Sequence, residues 1–199
     1  VFDGTDRNSI YMNNSNGGRD FNLSGIDEMV YLDTFSVSEP TEDFVFTDNA
    51  LEYDIWTPFI EQVDADLYVS SQGSDQNSGL TAEEPMKTLH TALLKIMAED
   101  ETRTIHLAQG IYSSETNGEN FPYFGVDNVN ISGAGSNETI IDAGGNKSHF
   151  YFSGVVSCEI SGLTLRNGHT IRHNGEVIYP SAVYCLGSNI DFHDAVISD

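Results

Sequence analysis

Basic residues are scarce in this sequence. Eight Lys+Arg stand against 31 Asp+Glu across 199 residues, a formal net charge of -23. Phosphate backbones and anionic lipid surfaces repel such a chain, which argues against nucleic-acid partners and against a basic membrane-binding patch. Long apolar runs are missing too. No stretch approaches the roughly 18 residues that span a bilayer, so no direct membrane insertion is expected. Cysteine is rare: Cys158 and Cys185 are too few for a disulfide framework, and they lack Cys-x-x-Cys or Cys/His zinc spacing. What is present is 39% hydrophobic and 11% aromatic residues in patterned runs, unlike a disordered acidic tail.

The character of the chain changes near residue 66. Residues 1–66 hold 15 acidic and 2 basic residues (15 − 2, net -13), and residues 67–199 hold 16 and 6 (net -10). We divide the chain into an acidic β-rich arm or small subdomain, 1–65, and a second region, 66–199. The first has short alternating runs, MVYLDTFSV and DFVFTD, broken by turn-formers. It shows no helical period. The chain opens at Val1 and stops inside a strand-like alternation, NIDFHDAVISD, so we expect a segment of a longer protein.

The second region opens with a strand and turn, DLYVSSQGSDQNSG, and continues into TAEEPMKTLHTALLKIMAED. Met86, Leu89, Leu93, Ile96 and Met97 follow the spacing of a one-sided helix, predicted over about 85–98. Thr81 and Glu84 have capping-box spacing, and Pro85 suits a first turn. Strand patterns then recur. Val129/Ile131, Cys158/Ile160 and Ile190/Phe192 start three similar runs at a nearly constant spacing. A second series, HFYFSG and AVYCLGS, repeats in the same phase, with Phe150 matching Val183 and Phe152 matching Cys185. Two series in phase predict a solenoid whose turns stack apolar faces, with both cysteines pointing inward as buried thiols.

These residues resemble the right-handed parallel β-helix proteins of the pectate-lyase-like superfamily. More narrowly, the chain is similar to secreted bacterial proteins with a DUF1565-type β-helix start. The resemblance is carried by LYVSSQGSDQNSG, EPMKTLHTAL, TIHLAQGIY, ISGAGSNETIIDAGG and ISGLTLRNG, in that order, and covers roughly residues 66–199. It implies an all-β chain: a parallel β-helix with one N-terminal capping α-helix that closes the apolar end. The other end has no cap in the sequence. Further coils of the same polypeptide, or a neighbouring subunit, are expected to cover it.

Outward positions supply the candidate residues. Stacked strands would bring Glu159 beside Asp191 and Ser161 beside His193. The lyase template implies Glu159 and Asp191 as Ca²⁺ ligands and Arg166 as the base. A solvated outer face is the plainer reading, and the family's closely spaced Asp motifs are not matched. The loop GHTIRHNGEVIYPSA offers His169, Arg172, His173 and Tyr179 as glycan contacts, with His193 on the strand face. Asp75 and Asn77 have oxygen donors at alternate positions, as some Ca²⁺ loops do, against the preferred reading of an Asx-rich turn. Asp3, Asp6 and Asn8 form a weaker oxygen cluster. Asn167 is expected at a backbone corner.

Three functions follow: an extracellular or cell-surface module that is adhesive or carbohydrate-binding, a Ca²⁺-dependent polysaccharide lyase with its active site mostly beyond residue 199, or a structural assembly subunit. We favour the first. Calcium is the one ion these readings invoke, because so acidic a surface would need cations to hold an acidic polysaccharide.

Overall fold

The computed structural model describes residues 8–10, 21–23, 30–37, 45–47, 53–99, 101–169, 171–173, 176–179 and 182–199. The protein is mostly β, built on parallel pairing, and divides into two compact units, Val1–Gln62 and Val63–Asp199.

The first unit carries β1 (Asn8–Ile10), β2 (Phe21–Leu23), β3 (Val30–Val37), β4 (Val45–Thr47) and β5 (Tyr53–Ile60). One sheet runs β1-β3-β5 and the other pairs β2 with β4, all parallel. Asn8 faces Leu32, Phe21 faces Val45 and Val30 faces Tyr53, so the partners recur at almost the same spacing in each pair. Parallel neighbours cannot be joined by a tight hairpin. Alternating successive strands between two sheets supplies the crossover. Leu32, Phe35 and Val37 are buried. The arm read from sequence is thus a short-period parallel structure of its own. Asp3 and Asp6, and the side chain of Asn8, lie outside the described residues.

The second unit contains β6 (Leu67–Val69), α1 (Leu89–Lys95), β7 (Arg103–Leu107), β8 (Gly110–Ser113), β9 (Tyr123–Phe124), β10 (Val129–Gly133), β11 (Thr139–Lys147), β12 (Phe150–Ser153) and β13 (Cys158–Gly168). It continues through β14 (Ile171–His173), β15 (Glu176–Tyr179), β16 (Val183–Leu186) and β17 (Ile190–Ser198). Ile105 pairs with Ile131, Ile131 with Ile160 and Ile160 with Phe192, each step slightly longer than the one before. A second ladder runs β8-β11-β13, and a third β9-β12-β16. The long strand β13 serves two ladders because it bends at Gly162, where φ is +62°. Asp194 bends β17 at the matching place, φ +45°.

Period-two alternation sends one side-chain row per ladder into a common core. Leu67, Ile105, Ile131 and Ile160 form the first row, Tyr112, Ile141 and Leu165 the second, Tyr123 and Phe150 the third, all buried. Each large apolar side chain so placed contributes roughly 1.5–3 kcal/mol of transfer free energy. Cys158 joins the core and its thiol is pushed up to about 12 by burial. Cys185, expected inside, is exposed instead. Its strand is the outer one of the β9-β12-β16 sheet, so no described strand pairs beyond it.

The helix is shorter than predicted, Leu89–Lys95 rather than about 85–98. Pairing to the sheet overrides helical propensity at both ends. Met86 donates to the Tyr68 carbonyl at 2.9 Å and accepts from Ser70 N at 2.9 Å, which holds it extended. Ile96 bridges Val63, with Met97 N donating to the Val63 carbonyl at 3.0 Å. Thr88 is therefore the N-cap, its hydroxyl accepting from Thr91 N at 3.1 Å, and the expected Thr81/Glu84 box does not cap the helix. Leu89, Ala92, Leu93 and Leu94 are buried.

Candidate functional site

In the turn Gly73–Gly79, Asp75 and Asn77 both bond to the segment that enters α1. The Asp75 carboxylate accepts from Lys87 N and Thr88 N through Oδ1, both at 2.9 Å, and from the Thr88 hydroxyl through Oδ2 at 3.0 Å. Asn77 Nδ2 donates to the Pro85 carbonyl at 2.8 Å. Both residues tie the turn to the segment entering α1. Asp75→Ala is expected to cost about 1 kcal/mol, the usual size of a lost helix-entry cap. Asp75→Asn should cost less, since its amide oxygen still accepts the two backbone bonds. Urea midpoints of both variants decide this, and an Asp75→Ala midpoint equal to the parent's would refute the role.

Glu159 and Asp191 are register partners on β13 and β17, and Ser161 likewise faces His193. Glu159 N donates to Asn130 Oδ1 at 2.8 Å, so an Asn side chain one strand back holds that backbone. Asp191 and His193 are exposed. Among the described residues no three His, Cys, Asp or Glu side chains converge as a metal-binding group.

Arg166 is committed elsewhere. Its Nη2 and Nε donate to Asp142 Oδ2 at 2.7 and 3.1 Å, while Asn167 Nδ2 and Gly144 N donate to Oδ1, both at 2.9 Å. Burial works against the Asp142 carboxylate, but the bonds from Asn167, Gly144 and Arg166 outweigh it and hold its pKa below the ordinary value. A guanidinium offers five N–H donors and no acceptor, and here two of its nitrogens are spent on Asp142. Asn167 sits at φ +56°, the corner expected of it.

In the loop after β13, His169 is exposed and its backbone N donates to the Lys147 carbonyl at 2.7 Å. Strands β14 and β15 form an antiparallel hairpin that pairs Arg172 with Val177, His173 with Glu176 and Ile171 with Tyr179. The side chains of Arg172, His173 and Tyr179 lie outside the described residues. His193 stands on a strand face of a different sheet.

Two features escape a reading of the sequence. The first is a row of rings on the outward side of the third ladder. Tyr151 faces Phe124 and Tyr184 across the register, with centroids 5.5 and 5.0 Å apart, and all three rings are partly exposed. The opposite sides of the same strands bury Tyr123, Phe150 and Phe152. The recurrence of Tyr151 as Tyr184 on the next strand of the ladder is visible in sequence; Phe124 is not, because its strand is only Tyr123–Phe124.

The second is buried. Glu119 is 3% exposed, yet its Oε1 accepts from Leu89 N at 2.9 Å and its Oε2 from His90 N at 3.2 Å. Asn117 Nδ2 adds a bond at 2.8 Å. The buried Tyr123 phenol is close enough to feel the Glu119 charge but forms no hydrogen bond of acceptable geometry. Burial raises the Glu119 pKa despite these donors. The cluster sits at the entry to α1 and is structural.

A family model described as a protein of unknown function (DUF1565) matches residues 71–184, more than half of the chain. No curated protein and no solved structure matches it.

Proposed function

We propose, for a chain that belongs to the DUF1565 family, that residues 63–199 are the start of a right-handed parallel β-helix plugged by α1, and that it serves as a carbohydrate-binding module on an extracellular surface. What supports the fold is the trio of parallel ladders whose partners recur at a nearly constant spacing; the right hand is assigned because parallel crossovers almost always take that sense. What carries the function is the ring row Phe124–Tyr151–Tyr184. Partly exposed aromatic rings in register offer a sugar-sized apolar strip, and the phenol groups of Tyr151 and Tyr184 are of a kind that hydrogen-bonds a sugar's OH groups. The lyase reading keeps the Glu159/Asp191 pair, with its base candidate Arg166 ion-paired to Asp142.

Affinity electrophoresis of the whole chain through gels containing neutral polysaccharides tests the reading. Tyr151→Ala should weaken retention about tenfold, the equivalent of about 1.4 kcal/mol. Acidic polysaccharides should retard the protein only when Ca²⁺ is added. Unchanged retention of Tyr151→Ala and Tyr184→Ala in every gel would sink it.

A further inference from the structure

The first unit carries a second aromatic surface of different chemistry. On β3 and β5, Tyr31 faces Asp54, and the flanking pairs Leu32/Ile55 and Thr34/Thr57 set Asp33 opposite Trp56. Alternation puts Tyr31 and Asp33 on one side of β3, and Asp54 and Trp56 on the same side of β5. The partner side takes Leu32, which is fully buried, whereas Tyr31 is 36% and Trp56 67% exposed. Neighbouring parallel strands lie about 4.8 Å apart, so two rings and two carboxylates alternate within one small quadrilateral. Each ring has a carboxylate across the ladder and another along its own strand.

That alternation is suited to a cation. The π-face of an indole or phenol attracts an ammonium group, and an adjacent carboxylate adds a charge-assisted hydrogen bond. An anionic ligand would meet repulsion here, since residues 1–66 carry 15 acidic and 2 basic residues. The surface is a sheet face. Extended peptides add to sheet edges, or lie in grooves. A pyranose, by contrast, can lay an apolar ring face on an exposed indole while its amine reaches the carboxylates. We propose that Tyr31, Asp33, Asp54 and Trp56 bind a glycan bearing free amino groups, a glucosamine polymer in chemical class. The choice of a glycan rests on the carbohydrate-binding reading above; the choice of an ammonium group does not.

Trp56 is the one tryptophan of the chain, so its fluorescence reports this patch directly. Titrating the 199-residue protein with fully deacetylated glucosamine oligomers should shift Trp56 emission saturably, with an apparent Kd that rises with salt. The double variant Asp33→Asn/Asp54→Asn should keep the free protein's emission maximum and weaken binding tenfold or more. An equal response to N-acetylated oligomers would overturn the role of the ammonium group. Tighter binding of oligolysine than of the amino sugar would replace the glycan by a basic peptide and overturn the proposal, and an unchanged Kd in the double variant would reduce it to diffuse charge. Loss of neutral-glycan retention in Tyr151→Ala with Trp56 silent throughout would leave the other surface standing and remove this one.

Discussion

Gly133→Ala should lower stability by about 3 kcal/mol, at the upper end of what overpacking costs. The reason lies between strands. An added Cβ at Gly133 would run into the Gly162 carbonyl oxygen, with the Gly162 carbonyl carbon at 3.0 Å and Thr139 Cβ at 2.9 Å. None of these is the far end of a flexible side chain. Relief requires β10 and β13 to separate where Gly135 N donates to the Gly162 carbonyl at 2.9 Å. Gly162 is tied to the same contact: its own Cβ would sit 2.7 Å from the Gly133 carbonyl oxygen, and its φ of +62° adds about 1–2 kcal/mol for any other residue. Gly144, also left-handed at φ +68° but with open space around it, is the control and should show only the conformational cost. By thermal melting, Gly133→Ala should lose roughly 6–12 °C and Gly144→Ala a few degrees. A Gly133→Ala variant that melts with the control would mean the two strands have slack.

These glycines show where sequence is informative. The alternation of Ile131, Ile160, Leu163 and Leu165 is legible because burial on one face of a strand has a period of two, which marks every second letter. The ISG of β10 and ISG of β13 repeat for a steric reason that emerges only when the strands are adjacent. Helix limits fail for another reason. Met86 and Ile96 satisfy a helical period, but backbone pairing to Tyr68, Ser70 and Val63 is worth more than one extra turn at either end. The parallel pairing of the first unit stays hidden because β1, β2 and β4 are only 3 residues long and share no residue pattern with their partners: NSI stacks beside β3, and FNL beside VFT. Side-chain partnerships across strands are the least visible. Asp142 and Arg166 are distant in sequence, and only the register of β11 on β13 makes them neighbours. Glu119, in a loop with no periodicity, reads as an ordinary surface carboxylate until the fold buries it.

That buried carboxylate yields a pH test whose sign is fixed by its surroundings. Glu119→Ala removes the acceptor of Leu89 N, His90 N and Asn117 Nδ2; at about 1 kcal/mol for each buried donor left unpaired, the loss is about 3 kcal/mol. Glu119→Gln keeps the size and one acceptor oxygen, and it does not titrate. Burial raises the folded pKa of Glu119 above its ordinary value of 4.5. A group whose pKa rises on folding contributes its full stability below the unfolded value and loses it as pH climbs through the folded value. The penalty of Glu119→Gln relative to the parent is therefore largest near pH 4 and shrinks as pH rises. His149 works in the opposite direction. It is fully buried, its Nε2 faces the carbonyls of Ile141 and Arg166 at 3.1 and 2.9 Å, and burial lowers its pKa below 6.5. The native state resists taking that proton, so the His149 contribution falls as pH drops below 6.5. The parent's own pH profile mixes both with the repulsion of a -23 chain, and only the difference between parent and Glu119→Gln isolates the carboxyl. Urea unfolding of the two proteins from pH 4 to pH 8 measures that difference. A penalty that grows with pH would mean that the helix-entry donors hold Glu119 as an anion more strongly than burial opposes it.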